Sequence, residues 1–143
     1  MRTELTLTDV DAELAIAVIR DQLRRDGKAA VIAVADAQGE PIALLRLDGA
    51  LRAPIQIAMN KAFTAARERR PTFDIGRDAR HPERGFDMGY YGDSRYLGWG
   101  GGVPVVFDGQ VVGAVAVSGI PEEEDMRLAA MGVAAIVAAQ KRP

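Results

Sequence analysis

The sequence predicts a single α+β domain, in which two β-hairpins form one antiparallel sheet and helices pack against it. Its 143 residues are enough to bury one hydrophobic core without disulfides or a structural metal. Two pairs of short apolar runs are each separated by a turn that contains glycine, as is typical of hairpins. Three other segments carry the start and stop residues of helices. We therefore expect one layered domain over residues 1–143.

Composition excludes several classes of protein. With 18 basic and 20 acidic residues the formal net charge is -2, which predicts no nucleic-acid partner. The chain has no cysteine, so disulfides and thiolate metal sites are excluded. No apolar run approaches membrane-spanning length, and the N-terminus lacks the apolar stretch of a signal peptide. We expect a cytoplasmic protein with no membrane partner.

The first predicted helix covers about residues 9–26. Thr8 is a favourable N-cap, Asp11 completes a capping-box pattern and Gly27 ends the helix. The apolar residues occupy more than one stripe, which predicts a second buried face under a loop or against another subunit. These residues are Val10, Leu14, Ile16, Val18, Ile19 and Leu23.

The first predicted hairpin pairs residues 29–36 with residues 41–47. Its first strand is apolar on both faces and is expected to be central in the sheet. The second predicted helix covers about 53–70, with Pro54 in its first turn and Pro71 as its stop. Its apolar stripe follows the helical period, and Lys61 is interpreted as lying off that stripe.

Residues 72–102 show no sustained period and predict an atypical long loop. Loops of this length inside a compact domain are generally functional or disordered. The concentration of aromatic residues argues against disorder and is typical of a lid or a ligand-binding wall. These aromatics are Phe73, Phe86, Tyr90, Tyr91, Tyr96 and Trp99.

The last third predicts a hairpin and a helix. Residues 103–107 and 111–118 flank Asp108-Gly109, which is a strong hairpin signal. Pro121 then begins a helix that reaches about Gln140. We interpret the acidic run at residues 122–125 as a complement to the helix dipole in preference to a cation site.

Four stretches of the sequence, in this order, resemble the GlcG/HbpS (DUF336) haem-degrading family. The first hairpin carries GKAAVIAVADAQG at 27–39 and ALLRLDGA at 43–50, and the second helix carries NKAFTA at 60–65. The second half carries GGGVPV at 100–105 and VVGAVAVSG at 111–119, followed by acidic residues 123–125. The resemblance covers nearly the whole chain except residues 72–99.

The resemblance implies a profilin-like α/β/α sandwich assembled as a homo-oligomer, from dimer to octamer. It also implies binding of haem or a related tetrapyrrole in some members and an accessory role beside metabolic enzymes in others. Haem binding in the family is linked to a histidine on or near the first helix. This sequence departs from that pattern, because its one histidine is His81.

Three groups of residues could bind an anionic ligand or cofactor. Arg46 and Arg52 could grip a carboxylate near a helix N-terminus, although Arg46 could instead pair with Asp36 or Asp48. Gly100, Gly101 and Gly102 could aim backbone N–H groups at an anion or simply form a bulged start to the following strand. Tyr90, Tyr96 and Trp99 could form a ligand wall or pin the loop.

Four residues could carry catalysis. Lys61, which the family motif contains, could act as a base or a Schiff-base amine if it is buried, or be solvated. His81 could ligate haem or a metal, act as a general base, or be exposed in its loop; no standard zinc spacing surrounds it. Tyr91 and Asp93 lie in the densest polar and aromatic stretch, where phenols can donate protons or ligate haem iron.

Two functions follow from these residues. The first is a small-molecule-binding protein of the GlcG/HbpS type that holds haem or another flat, anionic ligand. The alternative is a cofactor-independent lyase, isomerase or hydratase that acts on a small carboxylate metabolite. Both hypotheses require the segment 72–99 to cover a cavity.

Overall fold

The computed structural model describes residues 1–141 and shows helices on both faces of a central sheet. The strands of the described residues are β1 (Val31–Asp36), β2 (Pro41–Arg46), β3 (Gly102–Phe107) and β4 (Gln110–Ser118). The α-helices are α1 (Asp9–Arg25), α2 (Ala53–Glu68), α3 (Thr72–Ala79) and α4 (Glu122–Gln140). A short 3-10 helix covers Met88–Tyr91. None of these helices is long and apolar enough to cross a membrane.

The two predicted hairpins join into one antiparallel sheet with the strand order β2-β1-β4-β3. They meet at β1 and β4, where Val31 lies opposite Ser118 and Asp36 lies opposite Gly113. The first five residues of β1 are buried, because helices cover both faces of the sheet at this strand. The predicted α+β class and the central position of β1 are confirmed.

The two faces of the sheet carry side chains of different size. Ile32 and Val34 of β1, with Val115 of β4, pack against α1 and α4 in the larger core. On the opposite face Ala33 and Ala116 pack against α2, whose facing residues include Ala58 and Ala62. Because alanine adds little thickness, α2 lies close to the sheet. The result is an α/β/α sandwich.

Helix α1 begins as the sequence predicts but buries one stripe only. Thr8 and Asp11 form both hydrogen bonds of a capping box, with Asp11 N donating to Thr8 Oγ1 and Thr8 N donating to Asp11 Oδ2. The buried stripe consists of Ala12, Ala15, Ile19 and Leu23. Val10 is 69% exposed, and no described element covers it. The expected second buried face is therefore not formed within residues 1–141.

Residues 72–102 are more regular than the predicted loop. Helix α2 ends at Glu68, with Arg69 as its C-cap, before the predicted stop at Pro71. Pro71 instead starts α3, whose eight residues are too few to show a clear period. Beyond α3, Tyr91 stacks on Tyr96 at 4.2 Å, and Tyr96 lies edge-on to Phe63 of α2 at 5.0 Å. The Arg95 guanidinium lies 4.0 Å above the Phe63 ring. These contacts hold the segment against the second half of α2.

Candidate functional site

A cavity of about 440 Å³ lies beside the first turns of α2 and α4. We call it the Lys61 cavity. Its walls are mostly apolar, and its charged lining residues are Lys61, Glu122 and Asp125. The remaining lining residues are Leu51, Ala53, Pro54, Ile57, Trp99, Gly100, Ser118, Gly119 and Ile120.

Lys61 is buried, with only 3% of its surface exposed. Its Nζ donates to the backbone oxygen of Val117 at 3.0 Å and to Asp125 Oδ2 at 3.2 Å. An ammonium group has three N–H donors. Within the described residues the third donor has no protein acceptor, so it is available to a ligand that enters the cavity.

The interpretation that Lys61 lies off the apolar stripe of α2 is wrong. Pro54, Ala58, Lys61 and Ala65 follow the helical spacing i, i+4, i+7, i+11, and all four are buried. The sheet and the segment that follows α2 together cover a wider arc of the helix than one stripe, so that residues 61–66 are all buried. Burial gives Lys61 the desolvated environment that its chemistry would need.

Asp125 is the site residue that the sequence interpretation missed. It is 3% exposed, and its Oδ1 accepts a hydrogen bond from Ile120 N at 3.4 Å. The sequence analysis treated Asp125 only as part of the acidic run at residues 122–125. The pattern that could have identified it is its position on the buried stripe of α4, which also contains Leu128, Ala129, Gly132 and Ile136. An acid at such a position is expected to need a buried partner.

Burial moves the pKa values of the pair in opposite directions. Desolvation lowers the pKa of Lys61, although the charges of Asp125 and Glu122 raise it in part. Desolvation also raises the pKa of Asp125 to about 6, against the opposing effect of Lys61. Each shift favours the neutral form of its group. Burial therefore brings the charged and neutral forms of the pair closer in energy.

Gly101 lets the backbone approach Lys61 closely. Its φ of +126° lies in the region that favours glycine, and an added Cβ would lie 2.8 Å from Lys61 Nζ. The neighbouring amides are already used: Gly100 N donates to Glu122 Oε2 at 2.8 Å, and Gly102 N donates to Thr72 Oγ1 at 2.9 Å. The Gly100–Gly102 run therefore shapes the cavity instead of presenting all its N–H groups to an anion.

His81 lies outside the Lys61 cavity and organises a turn. Its Nδ1 accepts hydrogen bonds from the backbone N–H groups of Glu83 and Arg84, at 3.1 and 3.0 Å. Its Nε2 lies 3.0 Å from the Arg84 guanidinium. No group of three or more histidine, aspartate or glutamate side chains within residues 1–141 could hold a metal ion.

Tyr91 and Asp93 hold the aromatic segment in place. The Tyr91 hydroxyl donates to Glu68 at 2.6 Å, and burial together with Glu68 raises the pKa of Tyr91 to about 12. Asp93 pairs with Arg95 at 2.8 Å, and this pairing lowers the pKa of Asp93 to about 2. The structure does not bring Tyr91 or Asp93 to the Lys61 cavity.

The remaining candidates are divided between the cavity and the surface. Trp99 and Gly100 line the cavity, and Gly101 lies next to Lys61 Nζ. Tyr96 packs on α2, whereas Tyr90 is 89% exposed. Arg46 and Arg52 are exposed, and neither lines the cavity. Within residues 1–141 Arg46 forms no ion pair with Asp36 or Asp48.

A second cavity, of about 530 Å³, lies at the C-terminal end of α2. It is polar, and its lining includes Arg2, Arg67 and Arg69. None of these residues is buried, and basic residues at the end of a helix complement its dipole. The Lys61 cavity, with its buried amine, is chemically the stronger candidate.

Comparisons with known proteins identify relatives over most of the chain. The profile of the family described as "Haem degrading protein HbpS-like" matches residues 7–134. Protein GlcG of Escherichia coli strain K12 is 35% identical over 118 residues, which are 82% of this chain and 85% of GlcG.

Two crystal structures share the fold over nearly the whole chain. Protein ORFY of Klebsiella pneumoniae has a TM-score of 0.89 and 29% identity, with 96% of this chain and 95% of ORFY covered. A double mutant of HbpS from Streptomyces reticuli has a TM-score of 0.82 and 29% identity, with 94% of this chain and 89% of the mutant covered.

Proposed function

The chain belongs to the HbpS-like family of haem-degrading proteins, and from this premise we propose that it binds a small molecule in the Lys61 cavity. The observation that supports this proposal is the buried Lys61 ammonium, which lies in a mostly apolar cavity and has one N–H donor without an acceptor among residues 1–141. Small-molecule sites commonly combine apolar walls with a few polar groups that fix the ligand's orientation.

The lining defines the class of ligand. Ile57, Leu51 and Ile120 offer aliphatic surface, and the Trp99 ring, 59% exposed, offers a flat one. Lys61 requires an acceptor oxygen, which a carboxylate or a carbonyl supplies. We propose a ligand with a compact apolar body and one such oxygen-bearing group.

Trp99 allows binding to be measured directly, because it is the one tryptophan of the chain. Cyclohexanecarboxylate should shift the Trp99 emission to shorter wavelength, because the ligand removes water from an exposed indole. For a ligand of this size we expect a dissociation constant of about 1 mM. Cyclohexylamine, which has the same body but no acceptor oxygen for the Lys61 N–H group, should produce a smaller shift.

A pair of lysine variants completes this experiment. Lys61→Met should weaken carboxylate binding at least about tenfold, the loss expected for one charged hydrogen bond. Lys28→Met removes a lysine that pairs with Glu124 outside the cavity and should leave the affinity unchanged. Equal emission shifts with the acid and the amine on the unmodified protein would overturn the proposal.

Haem is the cofactor that the family description implies, but the cavity does not fit iron coordination. Haem iron is generally held by histidine, cysteine, methionine or tyrosine. None of these types occurs among the described residues that line the Lys61 cavity, and His81 lies outside it with its Nδ1 accepting two backbone N–H groups. Haemin and iron-free protoporphyrin IX should therefore bind equally well. A Soret shift with haemin, together with no binding of protoporphyrin IX, would contradict this assignment.

Acid–base catalysis on a small carboxylate is a second candidate function. The observation that favours it is the lowered pKa of Lys61 beside the raised pKa of Asp125, because such pairs suit proton transfer near neutral pH. Lys61 would act as the base and Asp125 as the acid in a lyase, isomerase or hydratase. Proton exchange beside a substrate carbonyl, measured by NMR in D₂O, should disappear in Asp125→Asn. Activity that survives both Asp125→Asn and Lys61→Met would exclude this role.

We also propose that copies of the chain associate, as the family resemblance implies. On the outer surface of α1, Val10 is exposed and Leu14 and Val18 are half-buried, at successive four-residue intervals. An apolar stripe of this kind suits a subunit contact. Light scattering should give a mass above 15.3 kDa at micromolar concentration, and a monomer would contradict the proposal.

A further inference from the structure

The Lys61 cavity brings a primary amine and a carboxyl group together next to apolar walls. The two groups are 3.2 Å apart, and they are 3% and 4% exposed. Both line the cavity, so a carbonyl compound bound there could lie beside both groups. A carbonyl group held there would meet a nucleophile on its carbon and a proton donor near its oxygen.

We propose that Lys61 forms an imine with an aldehyde or ketone that occupies the Lys61 cavity, with Asp125 transferring the protons. This inference rests on the proposed function, because it assumes that the ligand lies in this cavity. The proposed function allows a ligand with either a carboxylate or a carbonyl oxygen, and this inference specifies a carbonyl. The expected substrate class is a compact apolar aldehyde or ketone.

The reaction balances without a further reactant. Lys61 gives a proton to Asp125, and its nitrogen then attacks the carbonyl carbon, forming a C–N bond. Asp125 relays a proton from nitrogen to oxygen and then protonates the resulting hydroxyl, which leaves as water when the C–O bond breaks. The products are a protonated imine paired with the Asp125 carboxylate and one water molecule. One positive charge is present on the lysine nitrogen at the beginning and at the end.

The electrostatics of the pair support this chemistry. Attack requires a neutral amine, and each unit by which a lysine pKa falls increases the neutral fraction about tenfold. Burial lowers the pKa of Lys61, while the raised pKa of Asp125 keeps part of this acid protonated near pH 6. Glu122 also faces the cavity, and its charge acts to raise the pKa of Lys61.

The lysine content of the chain makes the inference testable. The sequence has three lysines, Lys28, Lys61 and Lys141. Lys28 pairs with Glu124 and is 41% exposed, and Lys141 is exposed at the end of α4. Selective modification of the most buried of the three cannot be explained by accessibility.

The experiment traps the imine by reduction. The full chain is incubated at pH 7 with cyclohexanecarboxaldehyde and cyanoborohydride, and the modified peptide is identified by mass spectrometry. Lys61 should be modified at least about tenfold faster than Lys28, because the cavity holds the carbonyl beside the amine. Asp125→Asn should slow trapping at Lys61 by about 100-fold, the lower range of general acid–base effects. Faster modification of Lys28, Lys141 or the N-terminal amine would overturn the inference.

Two controls separate this inference from the proposed function. Prior addition of cyclohexanecarboxylate should protect Lys61 from trapping in the unmodified protein, which requires no variant to fold. If the carboxylate shifts Trp99 emission but the aldehyde is not trapped at Lys61, the proposed function stands and the imine is excluded. If neither compound acts at the cavity, both proposals fail.

Discussion

Lys61 and Asp125 are two charged residues placed where burial disfavours charge. Removal of either group from water costs several kcal/mol, and mutual attraction in such a pair generally offsets only part of this cost. The pair joins α2 to the first turn of α4, across 64 positions of sequence. Because apolar residues could fill this volume without that cost, a buried pair that also lines a cavity is better explained by function than by stability.

The raised pKa of Asp125 predicts a pH dependence of folding stability. Between the ordinary aspartate value of 3.8 and about 6, the folded protein retains a proton that the unfolded chain has lost. Asp125 therefore contributes stability below about pH 4 that is lost as the pH rises through 6. Relative to Asp125→Asn, the free energy of unfolding should fall by about 2 kcal/mol between pH 4 and pH 7.

Urea unfolding of both proteins at several pH values measures this difference. Glu123→Gln is the matched control, because Glu123 lies in the same turn of α4 but is exposed. Its difference from the unmodified protein should change by less than about 0.5 kcal/mol over the range. A constant difference for Asp125→Asn would show that the carboxyl group is not desolvated.

At the scale of elements, α3 and the residues after it determine where Trp99 and Gly100 lie. Gly76 of α3 approaches the backbone of Gly98 so closely that an added Cβ would lie 1.7 Å from the Gly98 oxygen. The next residue along the chain, Trp99, forms a wall of the Lys61 cavity. A contact between two glycines therefore positions part of the site.

Gly76→Ala should disrupt this contact and displace the cavity wall. We expect a loss of about 2–3 kcal/mol in the free energy of unfolding, typical of overpacking against rigid backbone, and a changed Trp99 emission. Gly89→Ala is the control, because its Cβ would meet only the Asp87 side chain at 3.1 Å. It should cost less than about 1 kcal/mol. Unchanged emission in Gly76→Ala would show that α3 does not position Trp99.

At the scale of the whole molecule, the α/β/α sandwich has two cores of different thickness. Larger side chains separate the sheet from α1 and α4, whereas alanines let α2 lie close to the opposite face. This close approach brings Lys61 to the backbone oxygen of Val117 on β4, at 3.0 Å. The small residues between α2 and the sheet therefore help to position Lys61.

Ala116→Leu tests this dependence. Ala116 is a fully buried residue of β4 that faces α2, so a larger side chain should push the helix away. The free energy of unfolding should fall by about 3 kcal/mol. It should also weaken binding of cyclohexanecarboxylate, because Lys61 moves with α2. Val106→Leu, at a position 52% exposed on β3, should change stability by less than about 0.5 kcal/mol. Equal thermal stability of the two variants would contradict the prediction.

The sequence alone determined the local structure and the family. The capping box at Thr8, the Asp108-Gly109 turn and the apolar strands each depend on residues within one element or one turn, so local patterns predicted them correctly. The same patterns located Lys61 and Trp99 among the candidates. They could not show that His81, Tyr91 and Asp93 lie away from these two residues, because spacing along the chain does not reveal which residues are close together in the fold.

Only the tertiary structure decided which candidates share a site. Lys61 and Asp125 meet because α2 and α4 both begin beside the end of β4, a result of how the sheet and helices pack. Packing also buried Lys61, which a single-stripe interpretation of α2 placed at the surface. Long-range contacts of this kind depend on the summed shape of many side chains, and a charged residue reveals its burial only when the layers around it are assembled.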